Sequence, residues 1–200
     1  MASDETSALK ELDEELEQNE NIYGDLKVIY RPHPWRQGKN DFNISDFKHV
    51  ELDMQIKDHY LQSINKMKID LDFQPSIDYY PAILGNALFI VASLTTMALE
   101  ALIMEKKVLL IVYDDGQNFF NTPKNAFMYC EHFRGIEKLN GFVFCKEKSR
   151  LRDQFREIYV NMSRDGFKSI KSDLSYFLFN DNREYQKRLF DAIEYVMKSN

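Results

Sequence analysis

A doubly wound α/β fold, with a mainly parallel sheet and helices on both of its faces, is predicted by two features of the sequence. The runs ALFIVA (87–92) and KVLLIVY (107–113) are almost entirely apolar and of strand length, as expected for parallel strands that are covered on both sides. Strand-like and helix-like segments also alternate along the chain, roughly five times. Both features favour one α/β sheet.

The other elements follow from the spacing of apolar residues and from breaking residues. Residues 5–19 place Leu9, Leu12 and Leu16 at spacings of three and four, which predicts a helix with one narrow apolar stripe. The remaining predictions are strands at 26–30, 68–73 and 141–145, a strand and then a helix within 50–67, helices at 77–85, 149–161 and 181–198, and loops at 37–48 and 114–125.

Charge is distributed unevenly along the chain. The formal net charge is -6, but residues 1–20 contain eight acids and one lysine, so the remaining residues carry +1. Such a body has no basic footprint for nucleic acid. No Pro- or Gly-rich linker divides the chain. We therefore expect an acidic N-terminal helix at 1–20 and a single α/β domain at 21–200.

Cysteine usage and hydropathy indicate the compartment. Cys130 and Cys145 form no CxxC pair and have apolar or aromatic neighbours, which favours reduced, structural thiols. The N-terminus lacks the basic and then apolar layout of a signal peptide, and no apolar run approaches the length of a membrane span. We expect a cytoplasmic protein without direct membrane insertion.

A cluster of hydroxyl side chains follows the first apolar strand. Ser93, Thr95 and Thr96 stand where the chain leaves that strand and begins a helix. Free backbone N–H groups, the positive end of the helix dipole and three hydroxyls at one point suit a bound phosphate. Helix capping alone is the alternative, because an N-cap normally takes Ser or Thr. The sequence contains no GxGxxG or GxxxxGK[ST] motif, which disfavours a dehydrogenase or a P-loop enzyme.

The segment Arg31-Pro32-His33-Pro34-Trp35-Arg36 is the second candidate. His33 stands between two prolines just past a strand, at the sheet edge where ligands bind in doubly wound folds. A rigidly held imidazole next to Arg31 can donate to a phosphate oxygen and balance its charge. A packed loop with a surface histidine is the alternative.

Glu100 is the third candidate. It follows Thr96 by four residues, on the same helix face and among apolar neighbours. A carboxylate in such surroundings needs a partner, either a ribose or sugar hydroxyl or a nearby Lys or Arg. The remaining histidines have no metal-ligand spacing, so we predict no metal site.

These motifs and their order resemble the C-terminal, nucleotide-binding half of GT-B glycosyltransferases, which has a Rossmann-like fold. The likeness is to bacterial capsule, lipopolysaccharide and teichoic-acid enzymes, including CMP-sialic acid and CMP-Kdo transferases and CDP-glycerol glycerophosphotransferases. It covers roughly residues 26–160. The matching segments are Arg31-Pro32-His33-Pro34, Asp78-Tyr79-Tyr80-Pro81, Ser93-Leu94-Thr95-Thr96 with the following ALEALIMEKKVLL, and, more loosely, residues 132–143.

The resemblance implies roles for the candidate residues. His33, as the catalytic residue, and the Ser93, Thr95 and Thr96 group would contact the nucleotide phosphate, with Glu100 near the ribose or the donor sugar. The resemblance implies no cofactor beyond the nucleotide-sugar substrate, for which CMP- and CDP-linked donors are the candidates. Lys106-Lys107 replaces the usual Gly-Lys-Pro, so the turn before the second strand must form without glycine.

We therefore expect a glycosyltransferase domain that binds the nucleotide-sugar donor for bacterial surface polysaccharide synthesis. The acceptor-binding half of the family, which commonly supplies the catalytic base, is missing, so a carbohydrate or lipid-linked acceptor would need a partner domain or subunit. That partner would also provide any peripheral attachment to the inner membrane. The alternatives are a non-catalytic nucleotide-binding or assembly subunit of the same fold and, less favoured, a sugar-nucleotide epimerase.

Overall fold

Parallel strand pairing defines the architecture of this mixed α/β chain. The computed structural model describes residues 5–32, 43–58, 76–114, 116, 122–175, 177 and 184–198. Strands β1 (Val28–Tyr30) and β2 (Val50–Leu52) form one parallel pair. A second parallel sheet has the order β3-β4-β5, from strands β3 (Ile90–Ala92), β4 (Val108–Ile111) and β5 (Phe142–Cys145).

Helices lie between and around these strands. They are α1 (Thr6–Gln18), α2 (Glu20–Tyr23), α3 (Tyr79–Asn86), α4 (Thr96–Ile103), α5 (Pro123–Tyr129), α6 (Leu151–Arg164) and α7 (Tyr185–Lys198). Short 3-10 turns cover Ile44–Asp46, Glu131–Phe133, Ile136–Lys138 and Lys148–Arg150. From α3 onward the described elements alternate between helix and strand as predicted, whereas the described residues between β1 and β2 contain only a 3-10 turn.

Strand β4 separates two apolar clusters. All four of its residues are buried, as the sequence predicts. Leu109 and Ile111 face a cluster that contains side chains of α1 and α6, whereas Val108 and Leu110 face a cluster formed with α3 and α4. This alternation follows from the two-residue period of a strand. Helices therefore cover both faces of the sheet at β4.

Helix α1 packs into this core. Leu12 and Leu16 lie in the cluster that contains Leu109 of β4. Leu9 packs with Tyr30 and Val50 of the β1-β2 pair. The apolar stripe predicted for residues 5–19 is thus confirmed, and its contacts are made within the chain. Because α1 contacts both sheets, it links them.

The acidic residues of α1 meet basic groups of the same chain. Arg156 of α6 donates to both carboxylate oxygens of Glu15, at 2.8 and 2.7 Å, and the Tyr23 hydroxyl donates to Glu15 at 2.7 Å. Arg152 pairs with Glu11 and Glu14 on the same helix face. The concentration of acids near the N-terminus therefore serves the packing of α1 on α6.

Strand β3 differs from its prediction. The sequence predicts a strand over 87–92 that is buried on both faces, but β3 is shorter and its three residues are only partly buried. Within the described sheet β3 is an edge strand, with β4 as its hydrogen-bonded neighbour. An apolar run thus indicates a strand, but its place in the sheet decides the burial.

Two helix starts also differ from their predictions. The predicted loop at 114–125 ends earlier, because Thr122 caps α5 and its hydroxyl accepts from the Asn125 N–H at 3.0 Å. The helix predicted at 77–85 begins two residues later, at Tyr79, and Asp78 before it makes no side-chain capping bond. The predictions at 68–73, at 59–67 and at 37–42 lie outside the described residues, and the described part of the predicted loop at 37–48 contains the 3-10 turn Ile44–Asp46.

The turn between α4 and β4 forms without glycine. Glu105 takes a left-handed backbone conformation, with φ of 57°. The Lys106 N–H bonds to the carbonyl of Ala101 at 2.9 Å and the Glu105 N–H to that of Leu102 at 3.0 Å, which is a Schellman motif. A glutamate therefore occupies the position that glycine usually fills.

Two sequence predictions concern the cysteines and the hydropathy of the helices. Cys130 and Cys145 are both free, as the sequence predicts, and Cys145 is buried in the core. Within the described part of the chain, no helix combines the length and the apolar character needed to cross a bilayer.

Candidate functional site

The hydroxyl turn lies between β3 and α4, where the sequence predicts it. Leu94 is buried and holds the turn against the core beside Ala98 of α4. Thr95 is the N-cap residue in an extended conformation, and α4 begins at Thr96. Both threonines are exposed, whereas Ser93 is half-buried. The structure thus places the polar positions on the surface and the apolar one inside.

The hydroxyl groups of this turn are not used for capping. Thr95 makes no side-chain capping bond, and only its carbonyl takes part, accepting from the Ala98 N–H at 3.1 Å. Thr122, by contrast, caps α5 through its side chain. Among the described residues, no group hydrogen-bonds to the hydroxyls of Ser93, Thr95 or Thr96. The capping alternative therefore does not account for Thr95.

The amino end of α4 has the electrostatics of an anion site. The first N–H groups of a helix have no intrahelical acceptors, and the helix dipole adds positive potential there. Thr95 provides no side-chain acceptor for these donors, and both threonines beside them are exposed. Hydroxyl and amide donors together can hold two or three oxygens of a phosphate.

Glu100 lies in different surroundings from those predicted. Its side chain is exposed, although Ala98, Ala101 and Leu102 of the same helix are buried. Among the described residues none forms an ion pair with Glu100. The expectation of a carboxylate confined among apolar groups is therefore wrong, because water reaches this face of α4. A contact with a ligand hydroxyl stays a prediction.

Arg31 is held by neighbours within the chain. It follows β1 directly, and its guanidinium pairs with Asp53, which follows β2, and donates to Gln55 Oε1 at 3.1 Å. The Arg31 side chain is 8% exposed and that of Asp53 is fully buried. The guanidinium is thus paired with Asp53 in this arrangement, and the role of Arg31 in balancing a phosphate charge stays a prediction.

Two tyrosines of α3 complete the surroundings of Arg31. The guanidinium carbon lies 4.2 Å from the ring centre of Tyr80 and 5.7 Å from that of Tyr79, within the range of cation–π contacts. Burial, together with the neighbouring carboxylate of Asp53, raises the pKa of Tyr79. Asp53 was not predicted from the sequence, where its one signal is a polar residue directly after the short strand VEL.

The described residues bring together only part of the predicted site. His33 lies outside them, so its predicted contact with a phosphate stays a prediction. Within the predicted loop at 114–125, the Gly116 N–H bonds to Asp114 Oδ1 at 2.9 Å. Among the described residues, no group of His, Cys, Asp and Glu side chains is arranged to hold a metal ion.

Comparisons with known proteins add no identification. No family model matches the chain, and searches of curated proteins and of solved structures find no match either. The parallel α/β architecture and the uncapped hydroxyl turn are therefore the observations on which a function can be argued.

Proposed function

We propose that this chain is the nucleotide-sugar-binding domain of a glycosyltransferase for bacterial surface polysaccharides. Its sheet would be doubly wound and Rossmann-like, as in the C-terminal half of GT-B enzymes. The observation that carries the proposal is the hydroxyl turn, because Thr95 and Thr96 are exposed at the start of α4 and Thr95 does not cap it. The motif resemblance around His33 supports the same class.

The chemistry of the turn favours a phosphate over other anions. A phosphate oxygen accepts from backbone N–H groups at a helix start and from neighbouring hydroxyls at the same time. The turn also follows the carboxyl end of a parallel strand, where ligands bind in open α/β sheets. A nucleoside diphosphate or monophosphate is thus the ligand class we propose.

In the proposed reaction, the bond between the donor sugar and the nucleotide phosphate breaks, and negative charge develops on the leaving phosphate. Groups that donate to that charge stabilise the transition state more than the bound substrate. The amino end of α4 and the Ser93, Thr95 and Thr96 hydroxyls would supply fixed donors, and His33 would add a further one. The acceptor and its catalytic base would come from a partner domain or subunit.

Titration calorimetry tests this proposal. CMP, CDP, UDP and GDP are each titrated into the full chain, and at least one is expected to bind. Thr95→Val and Thr96→Val are expected to weaken that binding about tenfold each, since a hydrogen bond to a charged group is lost. His33→Ala is expected to weaken it by a similar factor.

Thr122→Val is the matched control, because Thr122 caps α5 with its side chain. This variant is expected to lower the free energy of unfolding by about 1 kcal/mol and to leave nucleotide affinity unchanged. Thr95→Val is expected to weaken nucleotide binding and to leave the free energy of unfolding unchanged. Heat from none of the four nucleotides, or a Thr95→Val variant that loses stability and keeps its affinity, would contradict the proposal. Unchanged affinity in His33→Ala would favour a non-catalytic binding module.

A further inference from the structure

Helix α7 has an apolar face that the rest of the chain leaves uncovered. Five large apolar side chains lie on one side of this helix and are between 47% and 75% exposed: Leu189, Phe190, Ile193, Val196 and Met197. None of the apolar clusters that the described residues form contains a side chain of α7. A contiguous exposed face of this kind indicates a surface for interaction.

Helix α6 has the same apolar spacing, but its apolar face is covered. Leu151, Phe155 and Ile158 follow one another at intervals of four and three residues, and they are buried in the cluster that α6 shares with α1. The exposed residues of α7 repeat these intervals from Leu189 to Val196. Both helices have 14 residues, a length at which a helix without packing partners is only marginally stable in water. A partner on its apolar face would therefore stabilise α7.

The charged residues beside this face suit a second copy of the same helix. Lys187 and Glu194 are two helical turns apart, so they lie along the same edge of the apolar face. When two identical helices pair in antiparallel directions about a two-fold axis, the same edges of both helices meet. A pair centred near Asp191 places Lys187 of each copy opposite Glu194 of the other, and Leu189 opposite Ile193. The helix is thus complementary to itself in charge and in apolar contact.

A lipid surface suits this helix less well. Helices that lie on anionic membranes have a polar face rich in Lys and Arg. In α7, Asp191 and Glu194 offset two of the three basic residues, which are Lys187, Arg188 and Lys198. Glu194 also lies at the edge of the apolar face, where it would meet anionic headgroups. The pattern of both signs therefore favours a protein surface that has both signs as well.

We propose that α7 is a self-association surface, through which two copies of this chain pair with their α7 helices antiparallel. The inference is independent of the proposed nucleotide site, which lies at the start of α4. A 14-residue helix is about 21 Å long and offers less surface than the ~800 Å² that each partner buries in a standard interface. The dimer is therefore expected to dissociate on dilution.

Analytical ultracentrifugation of the full chain across a wide range of concentrations tests the proposal. The mass is expected to rise from that of one chain to that of two. Ile193→Glu places a charge at the centre of the apolar face and is expected to keep the chain monomeric, with its circular dichroism unchanged because the site is exposed. Met128→Glu, the matched control at an exposed apolar residue of α5, is expected to leave the dimer intact. A parent chain that is monomeric throughout, or a dimer that persists in Ile193→Glu, would overturn the proposal.

A charge exchange tests the antiparallel arrangement. Lys187→Glu and Glu194→Lys, made singly, each place two pairs of like charges across the interface and are expected to weaken the dimer about tenfold. Combined in one chain, the two substitutions re-form both pairs with opposite polarity and are expected to restore most of the parent affinity. A combined variant as weak as either single variant would refute this pairing. Binding of a monomeric parent chain to phosphatidylglycerol vesicles, lost in Ile193→Glu, would assign the face to a lipid surface instead and overturn the proposal.

Discussion

At the residue scale, the backbone of Glu105 is the most unusual feature of the chain around the proposed site. Its φ of 57° lies in the left-handed region, where a β-carbon crowds the following carbonyl. The Schellman bonds of Lys106 and Glu105 and a bond from the Ile170 N–H to the Glu105 carbonyl, at 2.9 Å, hold this conformation. The surrounding hydrogen bonds thus outweigh a local strain.

Glu105→Gly is expected to raise the free energy of unfolding by about 1 kcal/mol, because glycine adopts this conformation without a steric penalty. Urea denaturation measures the change. Gly166→Ala is the control at the equivalent position after α6, where φ is 66° and an added β-carbon would meet no atom within 4 Å. That variant is expected to lose about the same free energy. A destabilised Glu105→Gly variant would contradict the strain argument.

The sequence predicts part of this turn. Lys106-Lys107 shows that no glycine precedes the strand at 107–113. The charged residues between the helix and the apolar strand indicate a break between these two elements. Which residue takes the positive φ is not evident, because a penalty of about 1 kcal/mol is easily offset by hydrogen bonds to residues such as Ile170, far along the chain.

At the element scale, the pairing of α1 with α6 combines apolar packing with several ion pairs. Glu15 is 1% exposed and accepts three hydrogen bonds from Arg156 and Tyr23. Glu14, one residue away, is half exposed and pairs with Arg152. The two neighbouring acids thus make the same kind of bond in very different solvent environments.

Glu15→Ala is expected to lower the free energy of unfolding by about 2 kcal/mol, since it leaves the buried Tyr23 hydroxyl without its acceptor and removes both bonds from the partly exposed Arg156 guanidinium. Glu14→Ala, the control, is expected to change it by less than about 1 kcal/mol, because water replaces an exposed ion pair. Chemical denaturation of both variants at one ionic strength measures the difference. Equal losses in the two variants would show that burial of Glu15 does not determine how much it contributes to the free energy of unfolding.

This pairing also shows where prediction from the sequence ends. Leu9, Leu12 and Leu16 indicate a helix and its buried face, because their spacing is local. The partner of that face is not local, since Glu15 and Arg156 are 141 residues apart. The same holds for the candidate site: the hydroxyl turn was predictable from one segment, whereas the Arg31–Asp53 pair joins two.

At the scale of the whole molecule, the free energy of unfolding is expected to fall at alkaline pH. Burial raises the pKa of the Cys145 thiol from 9.0 to about 11. Burial and the bond to Glu15 also raise the pKa of Tyr23. Both groups are neutral when protonated, and the folded state therefore retains protons that the unfolded chain loses.

The free energy of unfolding is expected to be constant with respect to Cys145 below about pH 9 and to fall as the pH rises to about 11, by the order of 2 kcal/mol. Urea titrations at pH 7, 9 and 11 measure this loss. Cys145→Ala should reduce it, while Cys130→Ala, which leaves the buried thiol in place, should retain it. An equal alkaline loss in Cys145→Ala would assign the effect to other groups.

Charges that are segregated along the sequence are paired with one another in the folded molecule. The sequence separates an acidic segment at 1–20 from a nearly neutral remainder. In the folded chain Glu11, Glu15 and Glu17 of that segment lie against Arg152, Arg156 and Lys48. The acidic segment is thus paired with basic side chains of the same chain. Charge counts along the sequence therefore do not describe the charge of the folded surface.

Strand β4 has a consequence for tolerance to insertions and deletions. Its alternate residues supply two different apolar clusters. Gain or loss of a single residue between α4 and β4 would therefore exchange every side chain between the two clusters at once. Leu109 would then occupy space shaped for Val108 or Leu110, and both helix layers would lose their fit together. The length of the short link that precedes β4 is therefore constrained more strictly than the identity of its residues.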